Sequence, residues 1–334
     1  MKKAFIVIGL IAAVCFSVSA GGRGEPKEGE PSYMLRFGHV QTEKEEYHKA
    51  YIRWAEAVEE RTNGDFVIEV YPNAQLGVEE DILEQMRKGS NVGWQTDPAR
   101  LGDYVGEFSV LYGAYLLSGY DDFEALLGSP TINSWSKKLE DEFGIKVISY
   151  AYAQGFRNVM ANVQARSPQE LRGVRIRTAP APAWLATVNS LGATATGLPY
   201  GELYNGIQTG VVDGAELPVS AARALSVEEV ADYLIETRHI YQMNVLVASA
   251  KWFNSLPKEY QDILLEEADK AGLEATQALE AKAGTDMQYL LDNGMTLIPW
   301  DELDSSAFIR SGQQSYEKLG VVNAKEAIYK ELGK

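Results

Sequence analysis

The sequence predicts an α/β protein of two lobes, with a long helix reaching both. Three observations predict it. Apolar runs of strand length alternate with segments of helical periodicity, the pattern of a mainly parallel sheet covered on both faces. About 300 residues follow the amino-terminal leader of this 334-residue chain, more than one hydrophobic core usually holds. A helical region from Pro257 to Asp292, interrupted only by Gly272 and Gly284, is long enough to act as a spine touching both lobes.

Taken in order, the chain opens with the layout of an export signal. Lys2 and Lys3 precede an apolar run from Ala4 to Phe16, and Val18 and Ala20 stand where a signal peptidase reads. Residues 1–20 are thus expected to be removed, and the run is too short to span a bilayer comfortably. Cys15, the only cysteine, offers a competing fate as a lipid attachment point, although Val14 is large for the position before it. Residues 21–32, rich in glycine, proline and charge, read as a flexible tether.

Met34 to Val40 reads as a strand. Glu43 to Thr62 reads as a helix, with Tyr47, Tyr51, Trp54, Ala55 and Val58 on one face and Asn63-Gly64 as its stop. Phe66 to Tyr71 is a strand closed by Pro72, Glu79 to Arg87 a helix, and Val92 to Thr96 a strand. Ile145 to Ala151, Asn158 to Asn162 and Val174 to Arg177 read as three further strands. Pro182 to Leu191 and Tyr200 to Thr209 read as helices ended by Gly192 and Gly210. A strand from Val211 to Pro218, a late strand from Gly294 to Pro299 and a terminal helix complete the pattern.

Composition removes several function classes. With 47 acidic and 31 basic residues the formal charge is −16, which argues against nucleic acid or anionic lipid as a partner. The three histidines have no metal-ligand spacing, so no metal or other cofactor is expected, and no nucleophile elbow, phosphate loop or dinucleotide fingerprint is present. Carboxylates are abundant, so an exported hydrolase working with a pair such as Asp97 and Glu216 stays open as a second reading. Two arginines stand out. Arg177 ends a strand and Arg157 follows the Gly155 turn, and in an open α/β sheet ligands sit at strand ends. A guanidinium there can hold a carboxylate through two parallel hydrogen bonds.

The order and spacing of several short motifs resemble the solute receptors of the tripartite ATP-independent periplasmic (TRAP) transporters, the DctP family. They are Glu60-Arg61-Thr62-Asn63-Gly64 followed by Tyr71-Pro72-Asn73-Ala74-Gln75-Leu76-Gly77, then Gly155-Phe156-Arg157, Leu171-Arg172-Gly173 with Arg175-Ile176-Arg177, Gly210 to Glu216, and Trp252 to Gln261. The resemblance covers nearly the whole chain after the leader. It implies a periplasmic-binding-protein-like fold with a hinge. The first lobe is then expected over 33–154 plus 243–282, the second over 155–242 plus 283–334. It also implies an extracytoplasmic receptor that is not an enzyme, and as nothing in the sequence suggests an obligate oligomer, a monomer is expected. Such a receptor takes a small organic acid (a dicarboxylate, a 2-oxo acid or another monocarboxylate) to integral membrane subunits.

By the same resemblance Arg177 holds the ligand carboxylate and Arg157 is a second arginine lining the cleft. Asp97 is an acidic position on the facing lobe, with Arg100 nearby. Tyr200 is an aromatic wall or simple packing at a helix start. Asp213 shapes a turn and Glu216 faces the cleft. Leu217 stands where relatives carry a ligand-binding amide, which implies a ligand more apolar at that point. Trp94, Tyr150 and Tyr152 are either further apolar walls or lobe core.

Overall fold

The computed structural model describes residues 31–334, so the expected leader, most of the tether and Cys15 lie outside the described residues. The first unit is parallel. Strand β1 (Tyr33–Gly38) pairs on one side with β2 (Phe66–Tyr71) and on the other with β3 (Val92–Thr96). Helix α1 (Glu46–Arg61) covers them with a continuous apolar stripe of Tyr47, Ala50, Tyr51, Trp54 and Val58. It ends where Asn63 and Gly64 take left-handed backbone, a conformation glycine adopts without a Cβ clash. Helix α2 (Glu79–Arg87) and the short α3 (Pro98–Leu101) follow, the latter capped by Asp97, whose side chain accepts from the Arg100 N–H. Helices α4 (Tyr120–Leu126) and α5 (Pro130–Phe143) lead into the middle of the chain.

Two strands of 17 residues each dominate that middle, β4 (Ile145–Ala161) and, far along the chain, β8 (Tyr233–Ser249). They run antiparallel over their whole length, from the Ile145–Ser249 pairing to the Ala161–Tyr233 pairing. The two expected strands 145–151 and 158–162 are therefore one. Gly155 does take positive φ (77°), but inside an irregularity of a continuing ladder, not in a turn. Between β4 and β8 come β5 (Arg175–Thr178), α6 (Pro182–Ser190), β6 (Thr194–Gly197), α7 (Leu203–Gln208), β7 (Gly214–Pro218) and α8 (Val219–Ala224). The sheet order is β2-β1-β3-β8-β4-β7-β5-β6, with β9 (Thr296–Ile298) beside β8. The long antiparallel pair thus joins a parallel group on each side, and the sheet is more mixed than expected.

After α9 (Ala250–Phe253), helix α10 (Lys258–Asp292) runs 35 residues without a break, about 50 Å at 1.5 Å per residue. Its two glycines do not interrupt it. Gly272 is there for contact: a Cβ at that position would lie 2.7 Å from the Tyr152 ring. The helix is tied to both groups. The Trp54 indole donates to the Leu264 carbonyl (3.1 Å), and Arg61 pairs with Glu267 (2.7 Å). Further along, Arg223 of α8 pairs with Asp286 (2.7 Å), and the Tyr241 hydroxyl donates to Glu280 (2.6 Å). The single terminal helix expected is three, α11 (Ser305–Gly312), α12 (Gln314–Leu319) and α13 (Val322–Glu331). Glu331 accepts hydrogen bonds from Ser129 and Thr131, and the Tyr316 hydroxyl donates to the Ala114 carbonyl (2.9 Å). The end of the chain therefore crosses back to the segment around 110–131.

Candidate functional site

The carboxyl ends of β3, β5 and β7 and the loop after β1 converge on a cavity of about 440 Å³ floored by β4 and β8. Ligands of α/β folds bind at such strand ends. Glu79, Glu80, Asp97 and Arg100 line it from the side of α2 and α3. Arg177, Trp184 and Tyr200 line it from the side of β5 and α6, while Gln154, Arg157, Gln242 and Asn244 rise from the floor. A larger surface hollow of about 620 Å³ lies between α5, β4 and α10, and no arginine lines it.

Five of the seven residues singled out in the sequence border this cavity: Arg177, Arg157, Asp97, Arg100 and Tyr200. They are not equivalent. Arg157 is a buried and fully engaged cation. Its Nε and Nη2 donate to the Glu216 carboxylate, Nη2 also to the Glu216 carbonyl, and Nη1 to Gln242 Oε1. The guanidinium carbon sits over the Trp184 ring, 4.4 Å from the ring centre. Arg100 is enclosed by acids, with Glu79 at 3.2 Å, Asp97 at 3.6 Å and Glu80 at 3.7 Å.

Arg177 differs. It is 3% exposed, and among the described residues no carboxylate lies within 4.0 Å of it. Its Nε and Nη2 both donate to the Leu198 carbonyl, at 3.0 and 2.7 Å. Of five N–H donors this uses two and leaves the Nη1–Nη2 edge open. Burial, with Arg157 nearby, lowers its pKa to about 10 despite the opposing pull of Glu216, so it stays charged at neutral pH.

Glu216 and Leu217 are placed otherwise than expected, and neither borders the cavity. Glu216, fully buried, points beneath it. Besides Arg157 its carboxylate accepts from the Thr178 hydroxyl (2.6 Å) and from His239 (Nε2 at 3.2 Å). Burial alone would push that carboxyl up, but the Arg157 charge and the bonds from His239 and Arg157 hold it near 2. The ionised Glu216 can only accept, so His239 Nε2 carries the proton between them, and in the neutral imidazole Nδ1 then accepts from the Thr237 hydroxyl. Successive strand side chains face opposite sides. With Glu216 turned toward the arginine, Leu217 must face away, and it packs in a core with Met160, Leu203 and Ile207. The apolar ligand inferred from Leu217 loses its basis. The suggested carboxylate pair of Asp97 and Glu216 is not assembled at the cavity, since Asp97 borders it and Glu216 does not.

Two hydrogen bonds join the cavity's opposite walls. The Trp184 indole donates to Asp97 Oδ2 (3.1 Å), and the Tyr200 hydroxyl donates to Glu45 Oε2 (3.1 Å). Tyr200 therefore borders the cavity and bridges to Glu45. Burial pushes the Glu45 carboxyl up to about 7, against the bonds it accepts from Thr42 and Tyr200. Opening would return Glu45 to water and its ordinary value of 4.5. The closed arrangement then holds a proton more tightly than the open one. Its advantage is complete below pH 4.5 and lost as pH rises through about 7. The radius of gyration of the ligand-free protein in small-angle scattering is expected to increase from pH 5.5 to pH 8. Glu45→Gln, which still accepts from Tyr200 but cannot ionise, should flatten that response.

Sequence reasoning missed Trp184, His239 and the amides of the floor. Trp184 two residues after the helix-opening Pro182, and the short apolar run from Val245 to Ala248, were the available signals.

Residues 37–321 match the family described as bacterial extracellular solute-binding protein, family 7 (DctP). The chain belongs to this family. A solute-binding protein of Sulfitobacter is 26% identical over 332 residues, 98% of each chain. Among solved structures, a TRAP periplasmic solute-binding protein of Desulfovibrio salexigens in complex with diglycerolphosphate superposes with TM-score 0.86 at 29% identity, covering 90% of this chain and 97% of that one. A TRAP solute-binding protein of Ochrobacterium anthropi with bound L-fuconate gives TM-score 0.84 at 25% identity, covering 90% and 99%. The two-lobed α/β fold of TRAP receptors is thus the fold of this chain. Among the described residues of this family member, no helix is long and apolar enough to cross a membrane.

Proposed function

We propose that this TRAP receptor seats the carboxylate of a small organic acid on the open edge of Arg177 and presents the closed complex to the integral membrane subunits of its transporter. One observation carries the reading: a buried guanidinium whose only hydrogen-bond partner among the described residues is a backbone carbonyl. Burying a cation without a counter-charge is unfavourable, and a ligand carboxylate on Nη1 and Nη2 relieves that cost through two charge-assisted bonds. The L-fuconate-bound relative supports an acid as ligand.

The lobes divide near residues 154–155 and 242–243, where the β4–β8 ladder is irregular, and the division supports closure by bending there. Asp97 and Trp184 from one pair of facing walls, and Glu45 and Tyr200 from another, hold the closed form. The receptor acts as a monomer outside the cytoplasmic membrane, after cleavage behind Ala20 or lipidation of Cys15, and releases its ligand unchanged.

Native mass spectrometry of protein purified from its own cells is expected to show one bound organic acid per chain, recovered unaltered after prolonged incubation. Chemical conversion of that acid would overturn the receptor reading in favour of an enzyme.

A further inference from the structure

The amides that line the cavity differ in how firmly they are held. Gln242 Oε1 accepts from Arg157, Gln95 Nε2 donates to Asn244 Oδ1 (2.9 Å), and Asn244 Nδ2 donates to the Tyr47 hydroxyl (3.1 Å). Each is thereby fixed in orientation. Gln41 also borders the cavity, yet its Oε1 is buried without a hydrogen-bond partner. The two ends of an amide have nearly the same shape, so only its partners decide which end faces which way.

Behind Gln41 stands His39, fully buried, and its Nδ1 is likewise without a partner. Burial and the nearby His48 push the His39 pKa down to about 3, and the Gln41 amide opposes them, so a neutral imidazole sits beside that amide. On its other side His39 Nε2 lies 3.2 Å from His48 Nδ1. His48 stands on α1, partly exposed, and burial holds its pKa below the ordinary 6.5 against the pull of Glu43. The other titratable groups around the pair are Lys44 and Glu45 ahead of α1, Tyr47 and Tyr51 on it, and Glu69 and Tyr71 at the end of β2. Lys44 is exposed, Glu45 is turned to Thr42 and Tyr200, and Glu69 to the Tyr71 hydroxyl. Tyr47 accepts from Asn244, and the Tyr51 ring packs on His39 at 4.9 Å, its hydroxyl kept neutral by burial.

A neutral imidazole has one N–H and one bare nitrogen, and the two nitrogens of His39 face different partners. A charged His48 can only donate from Nδ1. His39 Nε2 must then accept, and its proton sits on Nδ1, where it donates to Gln41 Oε1. The amide NH2 is left for the cavity. A neutral His48 keeps its proton on Nε2, the favoured tautomer of an imidazole in water, and its Nδ1 accepts from His39 Nε2. His39 Nδ1 is then bare, the amide turns its NH2 to it, and the carbonyl faces the cavity.

We infer that His39 is a positioning residue for ligand binding: its tautomer, dictated by His48, decides whether Gln41 offers the cavity a donor or an acceptor. The inference rests on the cavity as the ligand site and not on the role of Arg177. A ligand oxygen that only accepts gains at Gln41 once His48 is charged, and a ligand hydroxyl that must donate there gains once it is neutral.

The test is an NMR titration of tag-free, nitrogen-15-labelled, ligand-free protein from pH 8 to pH 5, in which two-bond correlations show which ring nitrogens carry protons. The chain has three histidines, so the signals are few. The His39 proton is expected on Nε2 at pH 8 and should move to Nδ1 with the midpoint at which His48 charges. The cross-peak between the Gln41 NH2, identified by its loss in Gln41→Met, and the His39 Hε1 should fall at least threefold over the same range. In His48→Ala, which removes a partly exposed ring outside the cavity lining, both changes should disappear. A His39 tautomer that does not change while His48 titrates overturns the inference, and that result needs no variant that could fold poorly. So does a doubly protonated His39 within the range, a cross-peak of constant strength, or an unchanged transfer in His48→Ala. Each of these outcomes leaves the Arg177 seat standing, since substitution of Arg177 itself decides that role.

Discussion

Arg177→Ala is expected to weaken ligand binding by two to three orders of magnitude or more, about 3–5 kcal/mol, the usual cost of truncating one member of a buried hydrogen-bonded charge pair. Isothermal titration with the acid that co-purifies with the protein would measure it. Arg177→Lys keeps the charge but not the planar fork, and Leu198 would compete for the few donors left, so a loss of at least tenfold is expected there as well. Arg177→Ala should leave the ligand-free protein no less stable. Removing a buried cation whose only hydrogen-bond partner among the described residues is the Leu198 carbonyl removes a desolvation cost along with two hydrogen bonds. Loss of affinity without loss of melting temperature would separate a binding role from a structural one. Unchanged affinity in both variants would sink the role assigned to Arg177.

Glu216→Ala should behave in the opposite way. It leaves Arg157 buried with its principal counter-charge gone and strips partners from Thr178 and His239. A broken buried pair typically costs about 3–5 kcal/mol, which corresponds to a fall in melting temperature on the order of 10 °C. The acid side of the stability curve carries a second signature. The Glu216 pKa falls from 4.5 to about 2 on folding, so its contribution is present above pH 4.5 and is lost as pH falls toward 2. In Glu216→Gln that part of the acid destabilisation should disappear, measured as melting temperature between pH 5 and pH 2.5. A variant as stable as the wild type at pH 7 would show that Arg157 does not depend on this partner.

Much of the architecture was legible because periodicity and chain punctuation agreed. The strands at 66–71 and 92–96 and the helix at 79–87 fall where apolar spacing places them. Strand β8 was not legible. Glu236 and Arg238 interrupt its apolar run, and Gln242 and Asn244 point into the cavity, so the segment lacks both clean alternation and a continuous apolar stretch. A bulge at 236–239, with Arg238 at positive φ, adds to the irregularity while delivering His239 to Glu216. In the site, Arg177 was legible as an arginine near a strand end, while Arg157, expected to follow a turn, lies inside the continuous strand β4. Their difference in pairing was not legible. Which arginine is already paired depends on Glu216, 59 positions from Arg157 and 39 from Arg177, and on which way that carboxylate turns. The inference from Leu217 failed for the same reason: spacing places a residue on a strand but does not say which face looks at the ligand.

The long antiparallel pair has a consequence for assembly. β3 has β1 on one side and finds its other neighbour only in β8, through pairings such as Gly93 with Ala248, and β4 is bordered by β8 on one side and β7 on the other among the described residues. The amino-terminal half is therefore an unfinished sheet until residue 249 is available, and no cut between the halves would give two separately folding pieces. Such distant pairings make for slow folding. A chain that must cross a membrane before folding gains from that delay, because most of its length can emerge before a stable core forms.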